Sequence, residues 1–367
     1  MPETPPREIV DADGHVWEDL QGIVRHLPAP YRADYERNPL VVENFLFPPL
    51  DHVHSMPVRV PVLETRTDND VGPAEWLTFL DEVGISHTVV YPTRALAMGH
   101  VRDEDFGVAL ARAYNEWLAE TYVDHPSGRF SGVAVLPLLT PDRAVAELRH
   151  AVEVLGLKAG LMNANGLPRH LGSRAYWPLY EEAERLGCPL SFHGGSHDGL
   201  GLDDLNVYAP IHALGHPSSL LIALGGLVFN RVYERFPGLR TAYLEGGSAW
   251  VLVALERFAE SAHAFPTHNP NGDVLSLPEG VGVDDHILEL IREGRIALGC
   301  EGGEHDLGYV SERVGRAPFM YSSDFPHEVD AASCAHELKE LDELGLGDED
   351  THAILAGNAR AFYGLSS

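Results

Sequence analysis

"FSGVAVLPLLTPDRAVAELRHAVEVLGLKAGLMN", residues 130–163, is the stretch from which the fold is read. It opens on an apolar run, passes through a segment of helical spacing and closes on a second apolar run. Neither run alternates cleanly between apolar and polar residues, which suits strands buried on both faces of a parallel sheet. Between them Thr140 is placed as a helix cap, Pro141 at the first helical position and Gly156 as the stop. This is a β/α/β unit, the building block of layered α/β folds.

The same punctuation recurs along the chain. Strands are expected in "EIVDAD" near 8–13, "HTVVYPT" at 87–93, "FSGVAVLPL" at 130–138, "LKAGLMN" at 157–163 and "PLSFHGG" at 189–195. Three more follow: "RTAYLEGG" at 240–247, "RIALGCEG" at 295–302 and "FMYSSDFPH" at 319–327. Helices are expected between them, one from Ser173 to Gly187 and others over 71–83, 248–262, 284–293 and 332–344. Another carries Phe106, Leu110, Tyr114, Trp117 and Leu118 on one face. Eight alternating units predict a (β/α)8 TIM barrel of the α/β class, spanning 1–367 as one domain. Two insertions, about 25–70 and 196–239, are expected to place loops and helices at the barrel mouth. The second contains the apolar "APIHALGHPSSLLIALGGLVFN" and is expected to serve as a lid or as a homodimer interface.

The chain has 55 Asp+Glu against 26 Lys+Arg, a balance that disfavours nucleic acid and anionic membrane as partners and leaves a small molecule as the expected one. Only Lys158 and Lys339 are lysines, so Schiff-base chemistry has few candidates. Cys188, Cys300 and Cys334 are scattered and odd in number, which argues for a reducing compartment. "MPETPPREIV" has no apolar signal core, and no run is read as a membrane helix. The expected location is the cytoplasm.

Barrel chemistry lies at the C-terminal ends of the strands. Strand one offers Asp13 and His15, strand four Asn163, strand five His193 and strand six Glu245; strand seven offers Glu301, and strand eight Asp324 and His327. Each has a plain alternative: Asp-x-His as a turn or surface pair, His193 as a hydrogen-bonded core residue, Asp324 as a turn cap before Pro326. Taken together at strands one, five and eight, two imidazoles and two carboxylates describe a divalent-cation site.

These pieces resemble the amidohydrolase superfamily, in the branch that includes aminocarboxymuconate-semialdehyde decarboxylase and related aromatic-acid decarboxylases. The resemblance rests on "IVDADGH", "LDEVGISHTVVYPT", "ARAYNEWLAE", "RFSGVAVLPLLTPDRAVAEL", "YWPLYEEAERLGCPLSFHGG", "RFPGLRTAYLEGG", "SSDFPH" and "ILAGNARAFYGL". It implies Asp13, His15, His193 and Asp324 as ligands of one divalent ion, zinc or manganese, with iron as a variant. Asp11 falls outside that set and is read as structural. On strand six the family usually carries histidine; Glu245 stands there instead, as a further ligand, a base, a proton shuttle or the partner of an arginine.

The implied activity is metal-dependent non-oxidative decarboxylation of an aromatic or conjugated carboxylic acid. Asp324, assisted by Glu245 or His327, would deliver the proton. Hydrolysis of an amide, ester or lactone is the alternative, and Fe(II)-dependent oxygen chemistry a third. Arg94, His54 and His216 are the expected substrate contacts. His52 and His54 have H-x-H spacing, but in a proline-rich loop. His212 and His216 are four apart, like zinc ligands on a helix, yet Pro217 disfavours helical geometry at His216 and the glutamate of H-E-x-x-H is missing. Lys158 precedes the end of strand four by too much to bridge two ions, so a single ion is expected.

Overall fold

The computed structural model describes residues 7–38, 46–53, 56, 58–59, 71–265 and 269–366. All eight expected strands form: β1 (Val10–Val16), β2 (His87–Pro92), β3 (Phe130–Ala134), β4 (Ala159–Asn163), β5 (Leu190–His193), β6 (Thr241–Leu244), β7 (Ile296–Cys300) and β8 (Phe319–Tyr321). They pair in parallel and in sequence order from β1 to β8. Two backbone bonds bring the ends of the sheet together: His15 N–H donates to the Phe325 carbonyl at 2.7 Å and Asp324 N–H to the Asp13 carbonyl at 3.0 Å. The result is a (β/α)8 barrel. Apart from His87, every strand residue is buried, including Asp11, Asp13 and His15 of β1.

The helices explain themselves locally. Asp103 caps the helix Glu104–Leu118 by accepting the Phe106 N–H, and Gly187, at φ 62°, ends the helix Trp177–Leu186. The helix after β3 runs from Pro141 to Glu153. Thr140 precedes it but does not cap it: its hydroxyl donates to the Pro137 carbonyl. The last helical residue is Glu153, and Gly156, at φ 72°, turns the chain so that the Leu157 N–H donates back to the Ala151 carbonyl at 2.9 Å, the stop expected there.

The insertion after β5 contains the helix Tyr208–Phe229, which runs unbroken through Pro217. This corrects the expectation that Pro217 takes His216 out of helical geometry. By length and composition this helix is long and apolar enough to cross a membrane, so the sequence does hold one such run; half of its most apolar window is buried inside the fold. Burial on the barrel overrides the local cost of an internal proline. Of the insertion over 25–70, the helix Ala29–Glu36 and the segment 46–53 are described, and the latter lies against the barrel mouth.

Candidate metal centre and the cavity above it

Asp11, Asp13 and His15 leave β1 for different purposes. The pairing of β1 with β2 shifts between Asp11 and Gly14. Asp11 accepts hydrogen bonds from Thr88 Oγ1 at 2.7 Å, from Ser323 Oγ and Ser323 N at 2.9 Å each, and from Asp13 N at 3.3 Å. Its carboxylate therefore ties β1 to β2 and to the segment after β8. Burial pushes Asp11 up to about 6, and these donors restrain the rise.

Asp13 and His15 face the barrel axis with His193 from β5 and Asp324 from just beyond β8. His15 Nε2 lies 3.6 Å from Asp13 Oδ1 and 3.4 Å from Asp324 Oδ1; His193 Nε2 lies 3.6 Å from Asp13 Oδ2. Ligands held about 2.1 Å from one ion stand roughly 3–3.5 Å apart, so a modest contraction would close this set on a cation. The imidazole tautomers agree. His15 Nδ1 donates to the Pro92 carbonyl at 2.8 Å and His193 Nδ1 to the Gly194 carbonyl at 3.0 Å, which leaves both Nε2 atoms with a bare lone pair. Those two nitrogens and Asp13 Oδ1 are buried with no hydrogen-bond partner among the described residues. Buried polar atoms are rarely left so, and three pointing to one spot fit a divalent ion.

The charges tell the same story. Burial and the neighbouring His327 and His193 hold the His15 pKa well below the usual imidazole range. Burial raises Asp13. For His193 burial opposes the charge, but Asp13 outweighs it and raises the pKa, so proton and cation compete for Nε2. Burial, then the Asp324 and Asp13 charges, pushes Glu245 well above the carboxylate range. Burial and Asp324 likewise lift Glu301 to about 8. Such crowding of carboxylates around Asp13 and Asp324 is relieved by a cation.

Glu245 follows β6, with Oε2 at 3.1 Å from His193 Nε2 and 3.6 Å from His216 Nδ1. Among the described residues its ion-pair partners are these histidines rather than an arginine. Glu245 and Asp324 both have left-handed backbones, φ 57° and 54°. A non-glycine residue in that region is uncommon, and strain of this kind gathers where a side chain must be aimed.

Asp324 Oδ1 also accepts from His327 Nδ1 at 2.7 Å, and His327 Nε2 meets Thr93 Oγ1 at 3.0 Å. Burial disfavours the His327 imidazolium, but Asp324 overcomes it by charge and hydrogen bond and holds the pKa at about 9. The Thr93 end is positioned by a residue that sequence reasoning missed. Glu18 is buried and accepts the backbone N–H groups of Thr93, Arg94 and Ala95 at 2.9–3.1 Å. Nothing in the local pattern marks Glu18, because its partners lie some 75 residues away. Glu304, also missed, accepts the Ser248 and Glu301 N–H groups beside the centre.

Above the centre lies a cavity of 1060 Å³. Trp17, Phe47, Leu50, Leu96 and Phe106 give it apolar walls, and Arg94, His212, His216, Glu245 and His327 polar ones. This is the form of a small-molecule site. His54 lies outside the described residues. His52 is exposed, with Nδ1 2.9 Å from Asp198 Oδ1 and Nε2 3.5 Å from Asp203 Oδ1. Lys158 precedes β4, at the end of the barrel away from the centre.

Residues 10–365 match the family model described as Amidohydrolase. The gamma-resorcylate decarboxylase of Rhodococcus jostii is 32% identical over 318 residues, covering 79% of this chain and 86% of the relative. The 2-amino-3-carboxymuconate-6-semialdehyde decarboxylase of Dictyostelium discoideum is 22% identical over 285 residues, covering 78% and 74%. A crystal structure of a dihydroxybenzoic acid decarboxylase from a Polaromonas species, with bound manganese and the inhibitor 2-nitroresorcinol, shares the fold. Its TM-score is 0.66 at 18% identity, over 98% of this chain and 97% of the other.

Proposed function

The chain belongs to the amidohydrolase family, and from that premise we propose that it is a metal-dependent, non-oxidative decarboxylase of an aromatic or conjugated carboxylic acid. The observation that carries the proposal is the convergence of Asp13 Oδ1, His15 Nε2 and His193 Nε2, buried and without partners among the described residues, beside Asp324. These four residues would hold one divalent ion, manganese or zinc. Such an ion supplies Lewis acidity and a fixed anchor for the substrate's carboxylate and a neighbouring oxygen.

The protein's own groups manage the proton. Asp324 accepts from the His327 imidazolium, and the pair is placed to pass that proton to the ring carbon. The bond from that carbon to the carboxylate breaks, its electron pair stays on carbon and takes the proton, and CO2 leaves. Typical general-acid assistance is worth about 10²–10⁴-fold. Glu245, with its pKa pushed up, is a second proton store next to His193. Arg94 and His216, on the cavity wall, serve as contacts for the anionic substrate; His54 is assigned the same role from sequence. We also place the enzyme in the cytoplasm, a reading that its three free, buried cysteines support.

The test is CO2 release from a panel of hydroxylated benzoates, run beside amide, ester and lactone substrates. Decarboxylation should stop on chelation, return with Mn2+, and in D2O leave one deuterium at the carbon that lost the carboxylate. Asp324→Asn should lower turnover by at least about 10²-fold with the thermal transition retained. Carbonyl cleavage without CO2 would reassign the chain to hydrolysis.

A further inference from the structure

The helix Tyr208–Phe229 carries two histidines one turn apart, His212 and His216, over the strand-six carboxylate. Their ligand atoms and one from Glu245 all lie within 4.8 Å of one another. His216 Nδ1 stands 3.6 Å from Glu245 Oε2, and the His212 and His216 rings have centroids 5.0 Å apart. From this geometry we infer a second divalent-cation site, formed by His212, His216 and Glu245, with Glu245 shared between it and the centre at Asp13, His15, His193 and Asp324.

Three features support this placement. Two imidazoles and a carboxylate are a sufficient donor set for a transition-metal ion with positions left open to water or substrate. The sharing follows from one atom: Glu245 Oε2 is 3.1 Å from His193 Nε2 on one side and 3.6 Å from His216 Nδ1 on the other. The His216 ring is also fixed in place. A Cβ at position 194 would fall 2.4 Å from its Nδ1, so glycine there is what lets the ring reach the barrel, and the His197 ring packs edge-on against it at 5.1 Å.

A second divalent ion would also add positive charge to a mouth lined by Asp13, Glu245 and Asp324, which favours a carboxylate substrate. Lys158, at the far end of the barrel, takes no part, so the extra ligands come from the inserted helix rather than from strand four. Carboxylate-bridged ions in two-metal sites lie about 3.5–4 Å apart.

The proposal goes beyond the decarboxylase reading and stands or falls separately. Full-length protein, stripped of metal and reloaded with Mn2+, would be assayed for bound manganese per chain and by electron paramagnetic resonance. Wild type should hold two ions with a spin-coupled signal. His212→Ala, at an exposed position where truncation leaves the packing intact, should hold one ion with an uncoupled six-line signal. Its second-ion affinity should fall by more than about tenfold. His52→Ala should still hold two. One ion in wild type at saturation, two coupled ions in His212→Ala, or loss of an ion in His52→Ala overturns the inference. Absence of CO2 release with a His212-dependent coupled pair would strike the decarboxylase reading and leave the second site standing.

Discussion

Asp11 and Asp13, two residues apart on one strand, make opposite predictions. Asp11 satisfies Thr88 and Ser323, so Asp11→Asn turns an amide N–H₂ towards donors and should cost about 1–3 kcal/mol in urea unfolding, with manganese binding retained. Among the described residues Asp13 Oδ1 has no such donor, and burial raises the folded pKa of Asp13 above the unfolded value. A carboxyl shifted that way destabilises the metal-free fold at neutral pH, where it must ionise at a cost. Asp13→Asn should therefore melt no lower than wild type in chelator while gaining less stability than wild type from added Mn2+. A fall in the chelated melting temperature with metal uptake intact would exchange the two roles. The chemical identity of Asp13 and His15 was legible because their spacing sits at a strand end. What separates Asp11 from Asp13 was not, since it depends on Thr88 and Ser323, brought near only by barrel closure.

At the level of elements, apolar runs marked most of the strands, because a strand buried on both faces has no polar alternation to hide it; β1, with Asp11, Asp13 and His15 on alternate positions, is the exception. The helix through Pro217 was misjudged for the opposite reason: proline's local cost was weighed without the packing that outweighs it, and so His216 was held apart from the helix that delivers it. Thr140 shows the same limit, its hydroxyl having found a nearer acceptor than the helix end. One junction between elements lends itself to a pH test. Glu182, on the helix Trp177–Leu186, bonds Arg185 on its own helix and Arg149 on the helix Pro141–Glu153. The Arg185 bond, followed by that of Arg149, outweighs burial and holds Glu182 down at about 2. A depressed carboxyl contributes stability above its unfolded pKa of about 4.5, a contribution lost as pH falls from there towards 2. Glu182→Gln should be less stable than wild type by about 1–3 kcal/mol at pH 7, with the gap closing below pH 4.5. A gap that stays constant with pH would remove the ion pairs as its cause.

Across the whole molecule, the inserted helix has two jobs. One face brings His212 and His216 to the barrel mouth, and the other leaves Leu214 and Ile222 exposed at 49% and 56%. That exposed apolar surface supports the homodimer expected through residues 196–239. Ile222→Asp should shift a dimer to monomer in light scattering; a wild type already monomeric would discard that interface. The account as a whole rests on a cation held between β1, β5 and the end of β8. The most direct measurement is an anomalous difference map from crystals loaded with manganese. The account predicts a peak within about 2.5 Å of Asp13, His15, His193 and Asp324 together; a fully loaded crystal with no peak between those four residues would contradict it.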